Sequence, residues 1–304
     1  MNRSPFISCV IQSDFTDVCE KNWQGIESLL EQAADNNASL VVLPELHNGH
    51  YFCQHESSHE FDRAEPVPGP TTDWLSKLAA RLDMVIVGSV FERRAAGLYH
   101  NTAVVLDSDG TLAGSYRKMQ IPDDPGYFEK YYFTPGDSSF RPIPTSLGTL
   151  GVMVCWDQWF PEAARLMALA GADVLIYPTA IGWDSEDDAA EQQRQLDSWM
   201  TVQRGHAICN GIPLLAANRT GHEPDPAGQT QGIQFWGHSF ICGPQGEVLA
   251  AANDNSTCCI LAEIDPGHIE EVRRSWPFFR DRRIDAYDDL TKRWNDVQQG
   301  ENDE

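Results

Sequence analysis

Apolar positions follow two rhythms along the chain. Short apolar runs at 6–11, 39–43, 84–91, 101–106, 173–177 and 213–217 suit buried strands. Between them the spacing turns helical: Trp23, Ile26, Leu29, Leu30 and Ala33 share one face, as do Trp74, Leu75, Leu78, Ala79 and Leu82 after Thr71. Asn36-Asn37 stops the first helix, and Gly171 stops another over 161–170. Ser108-Asp109-Gly110 joins the strands 101–106 and 111–116 as a hairpin. Further on, the pattern predicts a long helix over 192–210, a strand near Ser239, a strand over 257–264 that with it completes the sheet, and a short helix over 266–274. Residues 122–140 have no period and read as a long loop, with aromatics that argue against disorder and a length that points to function.

The pattern repeats itself. A helix followed by Ala38-Ser-Leu-Val-Val-Leu-Pro-Glu45 is echoed by a helix followed by Ala172-Asp-Val-Leu-Ile-Tyr-Pro-Thr179, and the Asp109-Gly110 hairpin is echoed by Gly243-Pro-Gln-Gly246. Two similar halves of this kind imply an α/β protein in which two sheets stack face to face with helices outside, a four-layer α-β-β-α sandwich. Buried strands all draw on Val, Ile and Leu, so the echo alone can also arise by chance. Residues 1–290 are expected to form a single domain and 291–304 a C-terminal tail. The arginine-rich aromatic stretch 276–290 is placed to wrap the body or a second subunit.

Charge narrows the partners. Lys and Arg total 22 against 45 Asp and Glu, a net charge of -23, which repels nucleic acid and anionic membranes and either draws in a small cation or serves solubility alone. No apolar stretch is long enough to span a bilayer, and the N-terminus lacks a signal-peptide core. The eight cysteines form no Cys-x-x-Cys pair and no zinc-like spacing, so no metal or cofactor is expected, and a reduced, cytoplasmic enzyme fits.

One of those cysteines ends an apolar run. In Gly151-Val-Met-Val-Cys155 the strand delivers Cys155 to a turn, where a side chain is held rigidly yet can meet a substrate. An isolated cysteine in such a place is more often a buried structural residue. A thiolate attacking an amide carbon also needs a base, an oxyanion donor and an acid for the leaving nitrogen. Glu45 and Lys118 at strand ends and Glu129 in the long loop are candidates, although each alone reads more readily as a solvated charge. Strand ends that share one edge can bring such groups into one pocket. A Cys-His hydrolase using His206 or His238, and a silent scaffold subunit, are the rival readings.

Val42-Leu-Pro-Glu45, Tyr116-Arg-Lys118 and Gly151-Val-Met-Val-Cys155-Trp-Asp, in that order, resemble the Glu-Lys-Cys signature of the nitrilase superfamily of carbon-nitrogen hydrolases. The run from Lys118 to Asp137, Cys155-Trp-Asp-Gln-Trp-Phe-Pro-Glu-Ala-Ala-Arg165, Tyr177-Pro-Thr-Ala-Ile-Gly182 and Phe279-Arg-Asp-Arg-Arg283 are similar to its N-carbamoylputrescine amidase subgroup. The resemblance implies Cys155 as nucleophile, Glu45 as general base and acid, and Lys118 with the Trp156 N–H as oxyanion donors. It implies Glu129 as the carboxylate that orients the substrate nitrogen, and a homodimer or higher homo-oligomer. The substrate it implies is a small cationic ureido compound, cleaved through a Cys-linked thioester to putrescine, ammonia and carbon dioxide. A carbamoyl-amino-acid hydrolase or a simple amidase is the alternative. Asp123, Asp124, Asp184 and Glu186 are candidates for binding the distal amine. Trp183-Asp184-Ser185 departs from the subgroup's Ser-Glu-Pro there, and Gln120, Trp236 and Trp276-Pro277 are smaller departures.

Overall fold

Backbone conformation follows the apolar rhythm from the first strand onward in the computed structural model, which describes residues 4–184 and 186–295. The first half runs β1 (Phe6–Gln12), α1 (Cys19–Asp35), β2 (Ala38–Val42), α2 (Pro70–Leu82), β3 (Val85–Ala95), β4 (Leu98–Leu106), β5 (Leu112–Arg117) and a single-turn α3 (Glu129–Tyr132). After β6 (Ile143–Pro144), the second half runs β7 (Thr149–Val152), α4 (Pro161–Leu169), β8 (Val174–Pro178), β9 (Gly182–Trp183), α5 (Ala189–Asn210) and β10 (Leu214–Ala217). It continues through β11 (Thr220–Glu223), β12 (Ile233–Trp236), β13 (Phe240–Cys242), β14 (Val248–Ala251), β15 (Cys258–Ile264) and α6 (Pro266–Ser275). Helix α1 ends where expected: Asn36 returns its N–H to the last turn and Asn37 takes a left-handed φ of 60°. The other long helices close the same way, α2 on Asp83 and α5 on Gly211, both left-handed.

The internal echo is a true repeat of topology. In one sheet β1, β2 and β3 are parallel, and β4 and β5 return antiparallel. In the other, β7, β8 and β10 are parallel, and β13 and β14 return antiparallel. Each sheet then gains one further edge strand, giving orders β15-β1-β2-β3-β4-β5 and β14-β13-β10-β8-β7-β6, while β11, β12 and β9 form a small third sheet.

Strand alternation sorts the layers. Leu40, Val42, Val85, Val87, Ala103 and Val105 share a core with Val152, Ile176 and Leu215 of the facing sheet. Their neighbours Val41, Ile86, Val104 and Leu106 turn outward and pack with Ile26, Leu29, Leu30, Leu75 and Leu78 of α1 and α2. On the far side α4 lies on β7 and α5 on β10, which completes the four-layer sandwich. Each fully buried Leu or Ile in these layers contributes about 1.5–3 kcal/mol.

Two expectations change. The strand over 257–264 does not complete the second sheet: as β15 it pairs antiparallel with β1, from Phe6 opposite Ile264 to Gln12 opposite Cys258. It thereby covers an edge of the first sheet that would otherwise expose unpaired backbone groups. The loop over 122–140 contains α3, a turn too short to leave a period in the sequence. Residues 276–290 form 3-10 turns at Ile284–Ala286 and Asp288–Thr291, with Trp276, Ile284 and Leu290 exposed. Most of the tail, from residue 296 on, lies outside the described residues. Among the described residues no helix is long and apolar enough to cross a membrane.

Candidate active site

Parallel strands in both sheets send their carboxyl ends to one edge of the sandwich, the edge where open α/β sheets bind ligands. There the Glu45 N–H, just past β2, donates to the Thr179 carbonyl, just past β8, at 3.3 Å, so the two halves meet at this point. Glu45 is fully buried, and its Oε1 accepts from Asn101 Nδ2 at 2.6 Å and from Lys118 Nζ at 2.9 Å. Lys118, one residue beyond β5, also donates to Glu129 Oε2 at 2.6 Å. The other oxygen of Glu129 accepts from the Tyr51 hydroxyl at 2.7 Å. An ammonium between two carboxylates thus lies wholly out of water, where its charge acts over a low dielectric.

Cys155 follows β7 and opens a 3-10 turn, Cys155–Trp159, with a left-handed φ of 42°. A side chain rarely adopts that backbone, which costs about 1–3 kcal/mol and persists only where the surroundings impose it. Here Asp157 imposes it. Its Oδ2 accepts from the Val154 N–H at 3.1 Å and the Tyr116 hydroxyl at 2.9 Å, and its Oδ1 accepts from the Gln120 N–H at 2.9 Å. Tyr116 and Gln120 flank Lys118 in the chain, so one buried carboxylate fastens the cysteine turn to the lysine segment. From behind, the His206 ring donates to the Gln158 carbonyl at 2.8 Å.

The electrostatics follow from burial. Desolvation alone would lower Lys118, but Glu129 and Glu45 outweigh it and hold the ammonium pKa well above its usual value. Burial raises Glu129, a rise only partly opposed by Lys118. Burial, then the charge of Glu45, pushes the Cys155 thiol well up, and its Sγ lies 3.7 Å from the Ala180 carbonyl. The resting cysteine is therefore a thiol, a form that becomes a strong nucleophile only with a base at hand. Asp157 is raised to about 6, chiefly by burial.

Four residues singled out by the sequence, Glu45, Lys118, Glu129 and Cys155, thus occupy one buried cluster. Trp156 lies half-buried in the first turn after Cys155, where backbone N–H groups have no acceptor within the turn. Asp123, Asp124, Asp184 and Glu186 are exposed, and Asp184 Oδ1 accepts the Glu186 N–H at 2.9 Å, closing its own turn. A cavity of about 310 Å³ lies beside the cluster, lined by Trp23, Leu46, Phe52, Glu65, Ser89 and Phe91 among others. Cys155, Lys118 and Glu129 do not line it, so the buried charged cluster marks the site and the cavity does not. Sequence reasoning assigned no role to Tyr51, Asn101, Asp157 or Tyr127, whose hydroxyl accepts the Gly182 N–H at 3.0 Å. Of these only Asp157 carried a signal, its place two residues after Cys155.

Known proteins resemble the chain over most of its length. The carbon-nitrogen hydrolase family profile matches residues 11–274. An N-carbamoylputrescine amidase from Solanum lycopersicum is 45% identical over 280 residues, covering 91% of this chain and 92% of the relative. A citrullinase from Francisella tularensis is 39% identical over 286 residues, 94% of this chain and 98% of the relative. The crystal structure of a carbon-nitrogen hydrolase from Helicobacter pylori G27 superposes with a TM-score of 0.93 at 52% identity, covering 96% of this chain and all of that one. Matched over most of its length by that profile, the chain belongs to the carbon-nitrogen hydrolase family.

Proposed function

We propose that this enzyme hydrolyses N-carbamoylputrescine to putrescine, ammonia and carbon dioxide, with Cys155, Glu45, Lys118 and Glu129 as its catalytic residues. The observation that carries the reading is the buried ammonium of Lys118, shared between Glu45 and Glu129 in the cluster that holds Cys155. The amidases of this name at 44–45% identity over nine-tenths of the chain support the substrate.

In this mechanism the Cys155 thiol attacks the ureido carbon while Glu45 takes its proton. The tetrahedral oxyanion is held by Lys118 and the Trp156 N–H, and Glu129 orients the substrate nitrogen. Glu45 returns the proton to the departing nitrogen, leaving a thioester on Cys155. Glu45 then activates the water that resolves it. The exposed acids Asp123, Asp124, Asp184 and Glu186 are proposed to favour the cationic end of the substrate from the rim, with each contributing little because water screens them.

A cytoplasmic location fits the eight free cysteines. The exposed Trp276, Ile284 and Leu290 fit a homodimer or higher oligomer, which a solution mass measurement tests. Residues 1–290 are read as one hydrolase domain, with 291–304 as its tail. The deciding assay measures ammonia release from N-carbamoylputrescine, N-carbamoyl-β-alanine and citrulline. Faster release from either carboxylate-bearing compound overturns the amine assignment. Undiminished hydrolysis by Cys155→Ala overturns the mechanism.

A further inference from the structure

Among the described residues Arg219 is the largest fully buried charged side chain, and it takes no part in the chemistry just described. It sits between β10 and β11 with no solvent exposure, and Phe15, Phe235 and Tyr51 face its guanidinium at 4.6, 5.5 and 6.0 Å. A buried cation needs a reason, since its burial is costly unless every donor is used.

Its donors converge on the backbone that carries Glu45. Nε donates to the Glu45 carbonyl at 3.0 Å, and Nη2 donates to the carbonyls of Leu46 and, at 2.9 Å, of Gly49. Leu46 has a φ of 51°, a left-handed conformation that a branched side chain disfavours, so the segment needs an outside restraint. The remaining arm, Nη1, pairs with Glu223 Oε1, and Glu223 Oε2 accepts the Tyr51 N–H. The Tyr51 hydroxyl in turn donates to Glu129 at 2.7 Å.

We infer that Arg219 and Glu223 are positioning residues that hold both site carboxylates in register, Glu45 through its own main chain and Glu129 through Tyr51. The demand is for four donor contacts in a fixed fork: three carbonyls and one carboxylate. Arginine supplies five planar N–H donors, whereas a lysine ammonium supplies three from a single point. Arg219 belongs to the second half of the chain and Glu45 to the first, so the clamp also ties the geometry of the base to the stacking of the two sheets. The inference rests on the reading of Glu45 and Glu129 as catalytic.

The test compares Arg219→Lys and Glu223→Gln with the unaltered enzyme and with Glu45→Gln. Each is purified as folded protein by gel filtration and near-UV circular dichroism. Steady-state turnover of N-carbamoylputrescine and the rate of Cys155 alkylation by iodoacetamide, located by mass spectrometry, are the readouts. Folded Arg219→Lys is expected to lose at least tenfold in kcat with KM within threefold, and its Cys155 alkylation slows in parallel because the base is displaced. Glu223→Gln keeps the side-chain shape and loses three- to tenfold in kcat. It carries the test alone if Arg219→Lys does not fold. Unchanged kcat and alkylation per folded molecule in the variants, with Glu45→Gln inactive, overturns the positioning role alone. Full activity in Glu45→Gln overturns the catalytic reading beneath it.

Discussion

Asp157 offers a prediction in which stability and pH are linked at the Cys155 turn. Its carboxyl titrates near 6 in the folded protein against 3.8 in a free chain, raised chiefly by burial and held down by the hydrogen bonds from Gln120, Val154 and Tyr116. At about 1.4 kcal/mol per pH unit, that difference of about two units is worth about 3 kcal/mol. The direction follows from which state binds the proton: the folded protein holds it up to about pH 6, the unfolded chain only to about 3.8. The stabilisation is therefore complete below the lower value and is lost as pH rises through the higher one. Asp157→Asn cannot ionise, so this loss disappears. Its amide, however, faces three donors, and at least one of them is left without an acceptor at a cost of about 1–3 kcal/mol. The variant should accordingly be less stable than the parent near pH 4 and should approach or exceed it at pH 7. Urea unfolding midpoints followed by tryptophan fluorescence at both values measure the crossing. A stability difference that stays constant from pH 4 to pH 7 would refute the assignment of a raised pKa to Asp157.

Three further outcomes follow from the same physics. His47 is buried, chiefly for that reason titrates near 3, and has no hydrogen-bond partner at either ring nitrogen among the described residues. The protein therefore loses about 1.4 kcal/mol for each pH unit below about 6.5 on this account, and His47→Phe should flatten the acid limb of thermal unfolding. Lys118→Met removes the ammonium between two buried carboxylates. Turnover should fall at least about 10²-fold, the size expected for loss of the proposed oxyanion donor, together with a drop in melting temperature from the uncompensated buried charge. Glu129→Gln keeps an acceptor for Tyr51 but weakens the hold on Lys118, so single-turnover rates should fall while far-UV circular dichroism stays unchanged.

The repeated strand-helix rhythm was legible because local burial writes it. In Val41-Val42 or Val104-Val105, each residue is apolar on account of a different layer, the outer helices or the facing sheet. What remained hidden depends on pairing across long stretches of chain. Nothing in residues 258–264 says that they belong beside β1, because a strand's partner is set by which edge lies open after the rest has folded. Arg219 and Asp157 were passed over because charged residues are usually solvated, and only the folded chain shows that their partners are buried carbonyls and N–H groups. Asp123, Asp124, Asp184 and Glu186 stand out in the sequence by charge alone, and the fold leaves them exposed, where water weakens the pull of each on a cationic substrate end.

The proposed reaction also explains why a buried site carries two carboxylates and only one ammonium. Attack by a thiol generates negative charge on the substrate oxygen, and in a low-dielectric interior a new charge is tolerated only if an existing one is removed. When Glu45 takes the Cys155 proton it becomes neutral as the oxyanion appears, so the negative charge beside Lys118 moves and does not increase. Glu129, which accepts from Lys118 at 2.6 Å, keeps the ammonium pKa high, so that the proton stays on Lys118. With Glu45 alone, neutralising the base would leave the lysine facing only the oxyanion, and transfer of its proton to that oxygen would become easier. A second carboxylate therefore has a defined electrostatic duty: it keeps Lys118 a cation at the moment the first carboxylate gives up its charge.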